Sequence, residues 1–166
     1  VTITANQSAF LTLVSHSEGT FLAADAYRCC YAFRHTIADL SYHPAVLRPN
    51  GTREWAGESL ASLGPQYEGE VSTAAGRYQM NKHWWLVAQG ACGLPDFSPA
   101  SQDAAALWLI KQNQALALID AGQIAEAIHR CRGIWASFPG GNSGQPEAAL
   151  SACLGAFTNA GGLLAA

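Results

Sequence analysis

Charge is scarce in this sequence: 13% of its 166 residues are Asp, Glu, Lys or Arg, against 49% hydrophobic. The Lys and Arg residues form no cluster, the formal charge is −3 and the isoelectric point is near 5.9. A nucleic-acid or anionic-membrane binder needs a basic footprint, so neither partner is expected. No apolar run approaches the ~20 residues that a membrane-spanning helix requires. The histidines His16, His35, His43, His83 and His129 show neither HxH nor HxxxH spacing, and no two cysteines form a CxxC pair. A zinc or thioredoxin-type centre is therefore not encoded locally, and a metal site would have to gather ligands from distant segments. GxSxG and the GxxxxGK phosphate loop are missing, and no dinucleotide fingerprint follows a strand. Nucleotide chemistry is disfavoured, and serine or cysteine catalysis is left only as a dispersed triad. No metal and no cofactor is expected.

What the chain has is length and apolar content enough for one domain with a real core, so residues 1–166 are read as a single unit. Cys29, Cys30, Cys92, Cys131 and Cys153 leave at least one thiol unpaired. Adjacent Cys29 and Cys30 point to opposite faces if extended, so one or both could pair elsewhere in an oxidising compartment; the plainer reading is buried apolar thiols. Val1 is not followed by a basic then apolar segment, so no secretion signal is visible in these residues.

Periodicity organises the rest. A first helix is expected from about Asn6, as cap, to Ser17, with Gly19 as its stop. From Gly19 to about Val71, prolines and glycines predict irregular chain with short β-like runs such as Cys29 to Phe33. A second helix should follow Asn81 and end near Gly93. In "FSPASQDAAALWLI", Ser98 reads as a cap and Pro99 as first-turn residue, with Ala104, Leu107 and Ile110 facing inward. Helical periodicity continues over 115–135, broken at Gly122, with Ile124, Ile128, Cys131 and Trp135 on one stripe. After the loop "FPGGNSGQPE", a last helix carries Leu150, Cys153, Leu154 and Phe157 and ends at Gly161 and Gly162. The fold class is α+β: a mainly helical body with a smaller irregular, partly β lobe, forming a cleft between its halves.

Two stretches could carry chemistry. In "LVSHSEGTFL", Glu18 stands four residues beyond Val14 and eight beyond Phe10, on the face that should point inward. At a helix C-terminus the dipole disfavours its charged form, and apolar neighbours add desolvation in the same direction, so its pKa should rise. A carboxyl still protonated near neutrality is what glycosidic cleavage needs, because the leaving oxygen must be protonated as the bond breaks. An ordinary salt bridge or a solvated helix end would place a Glu there equally well. "STAAGRYQ", residues 72–79, gathers hydroxyls, a Gly, an Arg, a Tyr and an amide that suit sugar hydroxyls and N-acetyl groups; a structural turn is the competing reading. Trp84, Trp85, Trp108 and Trp135 lie in helical patterns and read as core, whereas Trp55 in the irregular lobe is the candidate for stacking on a sugar.

The blocks "AFLTLVSHSEGT", "ADLSYHP", "STAAGRYQMNKHWW", "LPDFSPASQDAAALWLI", "RCRGIWASFPGGNSGQPE" and "NAGG" occur in this order and cover about residues 8 to 162. Together they resemble the lambda-lysozyme type of phage endolysin, a family of lytic transglycosylases in the lysozyme-like superfamily. The resemblance implies a lysozyme-like fold and cleavage of the β-1,4 bond between N-acetylmuramic acid and N-acetylglucosamine in peptidoglycan, for host lysis. It implies Glu18 as the catalytic residue, from the family's "SEGT", and Gly76, Arg77, Tyr78 and Gln79 lining the sites around the scissile bond. Thr73, Gln145 and Asp39 follow as further substrate-binding residues. It also implies a monomer made in the host cytoplasm that acts on the wall in the periplasm.

The chain departs from the family in places. It is longer between His43-Pro44 and Gly76, which enlarges that lip; Asn142, Ser143, Gly144 and Gln145 stand where the family has Gly-Tyr-Gly-Gln; and Tyr42 replaces an Asp. In the implied mechanism Glu18 protonates the glycosidic oxygen and then, as carboxylate, takes the C6 hydroxyl proton while that oxygen closes on C1. One rival is a muramidase in which Asp39, or one of Glu58, Glu68 and Glu70, activates water or acts as nucleophile. Another is a wall-binding module that has kept the fold and lost turnover.

Overall fold

The structure, a computed structural model, describes residues 3–141 and 146–165. The chain forms two compact units: residues 1–21 with 106–166, and residues 22–105.

The first unit is helical. Helix α1, Ala5–Ser17, is capped by Thr4, whose side chain accepts from the Gln7 amide while the Gln7 side chain accepts from the Thr4 amide. This reciprocal pair closes two of the orphan donors of a helix start, and it moves the cap from Asn6, where the sequence reading put it, to Thr4. Asn6 has another task. Its amide donates to the carbonyls of Ile119 and Leu163 at 2.9 and 3.1 Å and accepts from the Leu163 amide at 2.8 Å, tying the C-terminal tail to α1. Helices α4, Leu116–Asp120, and α5, Ile124–Cys131, flank Gly122 as expected, and α6, Leu150–Asn159, closes the unit against α1 and α5. Phe10 and Val14 are fully buried, as are Ile119, Ile128, Cys131, Trp135, Phe138 and Phe157 to within a few per cent. Each large apolar side chain among them contributes roughly 1.5–3 kcal/mol of burial. The expected stripe Ile124, Ile128, Cys131 and Trp135 is buried throughout.

The second unit holds the irregular chain, threaded by short 3-10 turns, and a two-stranded antiparallel sheet of β1, Glu58–Ser59, and β2, Val71–Ser72, in register Glu58↔Ser72. The expected β-run Cys29 to Phe33 is not a strand: Cys29 and Cys30 make isolated bridges to Thr36 and Ala75, and residues 31–33 turn, with Ala32 at φ 53°. Helix α2, Lys82–Cys92, starts on the Asn81 side chain and stops at Gly93 in the left-handed region, both as read. Helix α3, Pro99–Gln112, starts after Ser98, whose hydroxyl accepts from the Ser101 amide at 3.4 Å. Its residues 99–105 belong to the second unit and 106–112 to the first. The buried face of α3 is Gln102, Ala105, Ala106, Leu109 and Ile110, while Ala104 and Leu107 are half-buried. The apolar count misplaced this face because a fully hydrogen-bonded glutamine occupies a core position.

His43 is the centre of the second unit's core. It packs edge-on to Phe97 at 4.9 Å, and Trp85 meets Phe97 edge-on at 4.7 Å. Nδ1 of His43 accepts from the Ala45 amide at 3.2 Å, so Nε2 carries the proton and donates to the Met80 carbonyl at 3.0 Å. Both ring nitrogens are thus satisfied by the neutral form. Burial pulls the pKa of this imidazole from 6.5 to about 4. Among the expected core tryptophans Trp85 and Trp135 are buried, and Trp84 and Trp108 are half-buried. Cys29, Cys30, Cys131 and Cys153 are buried free thiols and Cys92 is an exposed one.

Candidate active site

Glu18 ends α1. Its own amide still donates to the Val14 carbonyl at 3.0 Å, and Gly19 follows at φ 74°, a left-handed conformation that stops the helix at no steric cost to glycine. The face counted from the sequence is real: Phe10 and Val14 are buried along it, and the half-buried Glu18 continues it. The residue that meets the carboxyl comes from the other end of the chain. Ser137 Oγ donates to Glu18 Oε1 at 2.6 Å, the short distance typical of an O–H donor on a carboxylate. Ser137 is held from both sides. Trp135 and Phe138 flank it as buried anchors, Phe138 packs edge-on against Phe10 at 6.1 Å, and the Ser137 carbonyl accepts from the Ala148 amide at 2.7 Å.

Desolvation by burial raises the Glu18 pKa from 4.5 to about 7, with the Ser137 hydroxyl pulling the other way. The salt-bridge reading is excluded, since no ion pair involves Glu18 among the described residues. At neutral pH this carboxyl is divided between its acid and base forms, the poise that suits a group required to give a proton and take one back.

The "GRYQ" turn is built in the second unit. Gly76 sits at φ 76°, and a Cβ there would lie 2.2 Å from Gln102 Oε1, so only glycine fits. Gln102 is fully buried; its Oε1 accepts from the Arg77 amide at 2.9 Å and its Nε2 donates to the Tyr27 and Phe97 carbonyls at 3.0 and 2.8 Å. Arg77 lies over the rings of Tyr27 and Tyr78, at 5.3 and 5.4 Å, and Nη1 donates to the Tyr27 hydroxyl at 2.8 Å. Tyr27 and Tyr78 both donate to Asp103, at 3.0 and 2.6 Å. Gln79 takes φ 45° and its amide donates to the carbonyls of Cys29 and Gly76 at 3.1 and 2.9 Å. Thr73 is half-buried and its hydroxyl accepts from the Lys82 amide at 3.0 Å.

One expected contact residue changes role. Tyr78 has no exposed surface, so it supports the turn from beneath and does not line a binding surface. Asp39 lies apart from the turn in the network of hydrogen bonds. It accepts from the Ser41 amide at 2.9 Å and pairs with Arg48 at 3.1 Å, and these hydrogen bonds hold its carboxyl below the usual range. Arg48 also meets Glu54, which accepts from the Ala38 and Asp39 amides at 2.6 and 3.2 Å and pairs with His35 at 3.0 Å. Trp55 is half-buried, with its ring parallel to that of His35 at 6.2 Å. Gln145 lies outside the described residues. No group of three or more His, Cys, Asp or Glu side chains suited to a metal ion occurs among the described residues.

Sequence reading missed Ser137, Glu54, Gln102 and Asp103. Ser137 stands 119 residues from Glu18, and no spacing rule links positions so far apart. Its one visible signal was its place in "RCRGIWASFPGG", a block otherwise dominated by core residues.

The model of the Endolysin family matches residues 8–164. The endolysin of Escherichia phage lambda is 38% identical over 166 residues, covering 98% of this chain and 95% of the relative, and that of Escherichia phage P2 is 38% identical over 158 residues, covering 95% and 94%. Two solved structures of bacteriophage lambda lysozyme are similar across 99% of both chains. One is a complex with a chitohexasaccharide, at a TM-score of 0.81 and 37% identity; the other has a TM-score of 0.77 and 36% identity. The fold is that of lambda lysozyme, and with identity above one third sustained over nearly the full length the chain belongs to the endolysin family.

Proposed function

We propose that this protein is a phage endolysin that degrades peptidoglycan as a lytic transglycosylase, cutting the β-1,4 bond between N-acetylmuramic acid and N-acetylglucosamine. The observation that carries the reading is the half-buried Glu18 carboxyl, raised to about 7 by desolvation and held by one hydroxyl. Glu18 gives its proton to the glycosidic oxygen, the C1–O bond breaks, and the N-acetylglucosamine end leaves as an alcohol. The muramic acid centre passes through an oxocarbenium-like or N-acetyl-assisted state. The Glu18 carboxylate then takes the proton of the C6 hydroxyl, O6 bonds to C1, and a 1,6-anhydro sugar forms. The proton count closes with Glu18 protonated again and no water consumed.

Residues 1–166 act as one catalytic domain in this reading, with Glu18 as the acid and base, Thr73, Arg77, Gln79, Asp39 and Gln145 as glycan contacts, and Tyr78 as support for Arg77. Glycan binding by lambda lysozyme, solved with a chitohexasaccharide, supports that substrate class. The enzyme works as a monomer, is made in the bacterial cytoplasm, and acts on the wall from the periplasmic side; no helix among the described residues is long and apolar enough to cross a membrane. The rival hydrolase needs a second carboxylate, and Asp39, ion-paired to Arg48, is poorly suited to act as nucleophile.

The test is mass spectrometry of the muropeptides released from purified peptidoglycan, with Glu18→Gln as the control. Terminal muramic acids one water lighter than a reducing end, and resistant to borohydride, are the expected products. Reducing ends would replace the transglycosylase by a muramidase. Retained binding to sacculi by a wild-type chain that releases nothing would reduce the protein to a wall-binding module.

A further inference from the structure

Ser137 Oγ touches two oxygen partners. It lies 2.6 Å from Glu18 Oε1 and 3.1 Å from Ser17 Oγ, and Ser17 spends its own proton on the Val14 carbonyl at 3.0 Å. A serine hydroxyl has one proton, so Ser137 serves one of the two neighbours at a time. Resting on the reading of Glu18 as acid and then base, we infer that Ser137 is a positioning residue whose single proton is shared between Ser17 and Glu18: directed to Ser17 Oγ while the carboxyl is neutral, and to Oε1 as negative charge develops. Oε1 is thereby committed to Ser137, and Oε2 is the oxygen that exchanges protons with the glycan.

The physical basis is a difference between two acceptors. A neutral carboxyl oxygen and a serine oxygen compete for the Ser137 proton on similar terms, whereas a carboxylate forms a bond roughly twice as strong. The hydroxyl therefore stabilises the charge that appears on Glu18 as its proton moves to the glycosidic oxygen, more than it stabilises the starting state, which is the condition for lowering a barrier. Turning one C–O bond is all the motion required. The proton transferred to the glycan comes from Glu18, and Ser137 keeps its own.

Charged neighbours do not supply an alternative cause. On α1, His16 stacks on Phe21; on α4, Asp120 is bound by Thr4 and Gln7; α6 carries only the buried Cys153 as a titratable group. In the chain around Ser137, Arg132 meets His129, Glu147 accepts from the Gly140 amide, and no charge from any of these acts on Glu18.

The experiment follows the Glu18 carboxyl directly, by ¹³C NMR titration of side-chain-labelled glutamate, with the resonance assigned from its loss in Glu18→Gln. Ser137→Ala removes the donor from the carboxylate and moves the midpoint up by about one pH unit; Ser17→Ala removes the competing acceptor and moves it down by about half a unit. Ser137→Thr keeps a hydroxyl and holds the midpoint near that of the wild type, which separates the hydroxyl from folding damage. On peptidoglycan, Ser137→Ala lowers kcat by about tenfold to a hundredfold with KM unchanged. Midpoints that move in the same direction in the two alanine variants, or that do not move, overturn the inference. Because the titration needs no substrate, it is separable from the catalytic reading, which fails on its own if Glu18→Gln still releases anhydro-muropeptides.

Discussion

Replacing Glu18 by glutamine keeps the shape of the side chain and removes only its ability to ionise, so the stability of the variant measures what the wild-type carboxyl costs. A group whose pKa rises on folding adds nothing unfavourable below its unfolded value and its full penalty above its folded value. For Glu18 the rise runs from 4.5 to about 7, and at 1.36 kcal/mol per pH unit this is roughly 3 kcal/mol. The native state carries that penalty at pH 8.5 and is free of it at pH 4. Glu18→Gln is neutral at every pH and can still hydrogen-bond Ser137. Its urea midpoint should match that of the wild type near pH 4 and rise through pH 5–7. At pH 8.5 the variant should be more stable by about 2–3 kcal/mol, with an unchanged denaturant slope. An inactive but more stable variant is what an active-site acid held in an unfavourable place produces. A gain of equal size at pH 4 and pH 8.5 would show that ionisation is not its cause. A wild type more stable than the variant at pH 8.5 would mean that the carboxylate is stabilised, and the acid role would lose its physical basis.

The second unit has a pH dependence of the opposite sign, by the same route of burial against the charged form. His43 is buried as the neutral ring, with its pKa lowered from 6.5 to about 4, so its contribution is complete above pH 6.5 and is lost as pH falls toward 4, by roughly 3 kcal/mol. In the Glu18→Gln background, where the opposing Glu18 penalty is absent, urea unfolding at pH 7 and pH 4 should show this loss, and a smaller one when His43→Gln is added; equal losses would refute it. Gly76→Ala places a Cβ 2.2 Å from Gln102 Oε1 on a residue at φ 76°. It should cost about 2–4 kcal/mol in urea unfolding, and a cost below about 0.5 kcal/mol would show that the Gln102 cradle for Arg77 is not rigid.

Much of the helical framework was legible along the chain because helices are made by neighbours. Caps and stops act within four residues, so Asn81, Gly93 and Ser98 could be placed from local chemistry, and the stripe Ile124, Ile128, Cys131 and Trp135 from the 3.6-residue period. Glu18 was legible for the same reason: it continues the face of Phe10 and Val14 at steps of four, and burial along that face sets the direction of its pKa shift. The errors arose where a long-range bond decides what a local rule leaves open. Asn6 is as good a cap as Thr4 until the tail carbonyl of Leu163 claims its amide. The inward face of α3 was counted through Ala104 and Leu107, but the Arg77 amide and two carbonyls satisfy Gln102 inside and turn the face toward it. Tyr78 reads as a sugar contact until Asp103 takes its hydroxyl beneath the turn. The sequence by itself determined that a carboxyl ends the inward face of the first helix, because that is geometry within one turn. Only the tertiary structure decided that Ser137 answers it, because that contact depends on Trp135 and Phe138 anchoring a distant segment against Phe10, and packing across 119 residues of chain leaves no mark in local spacing.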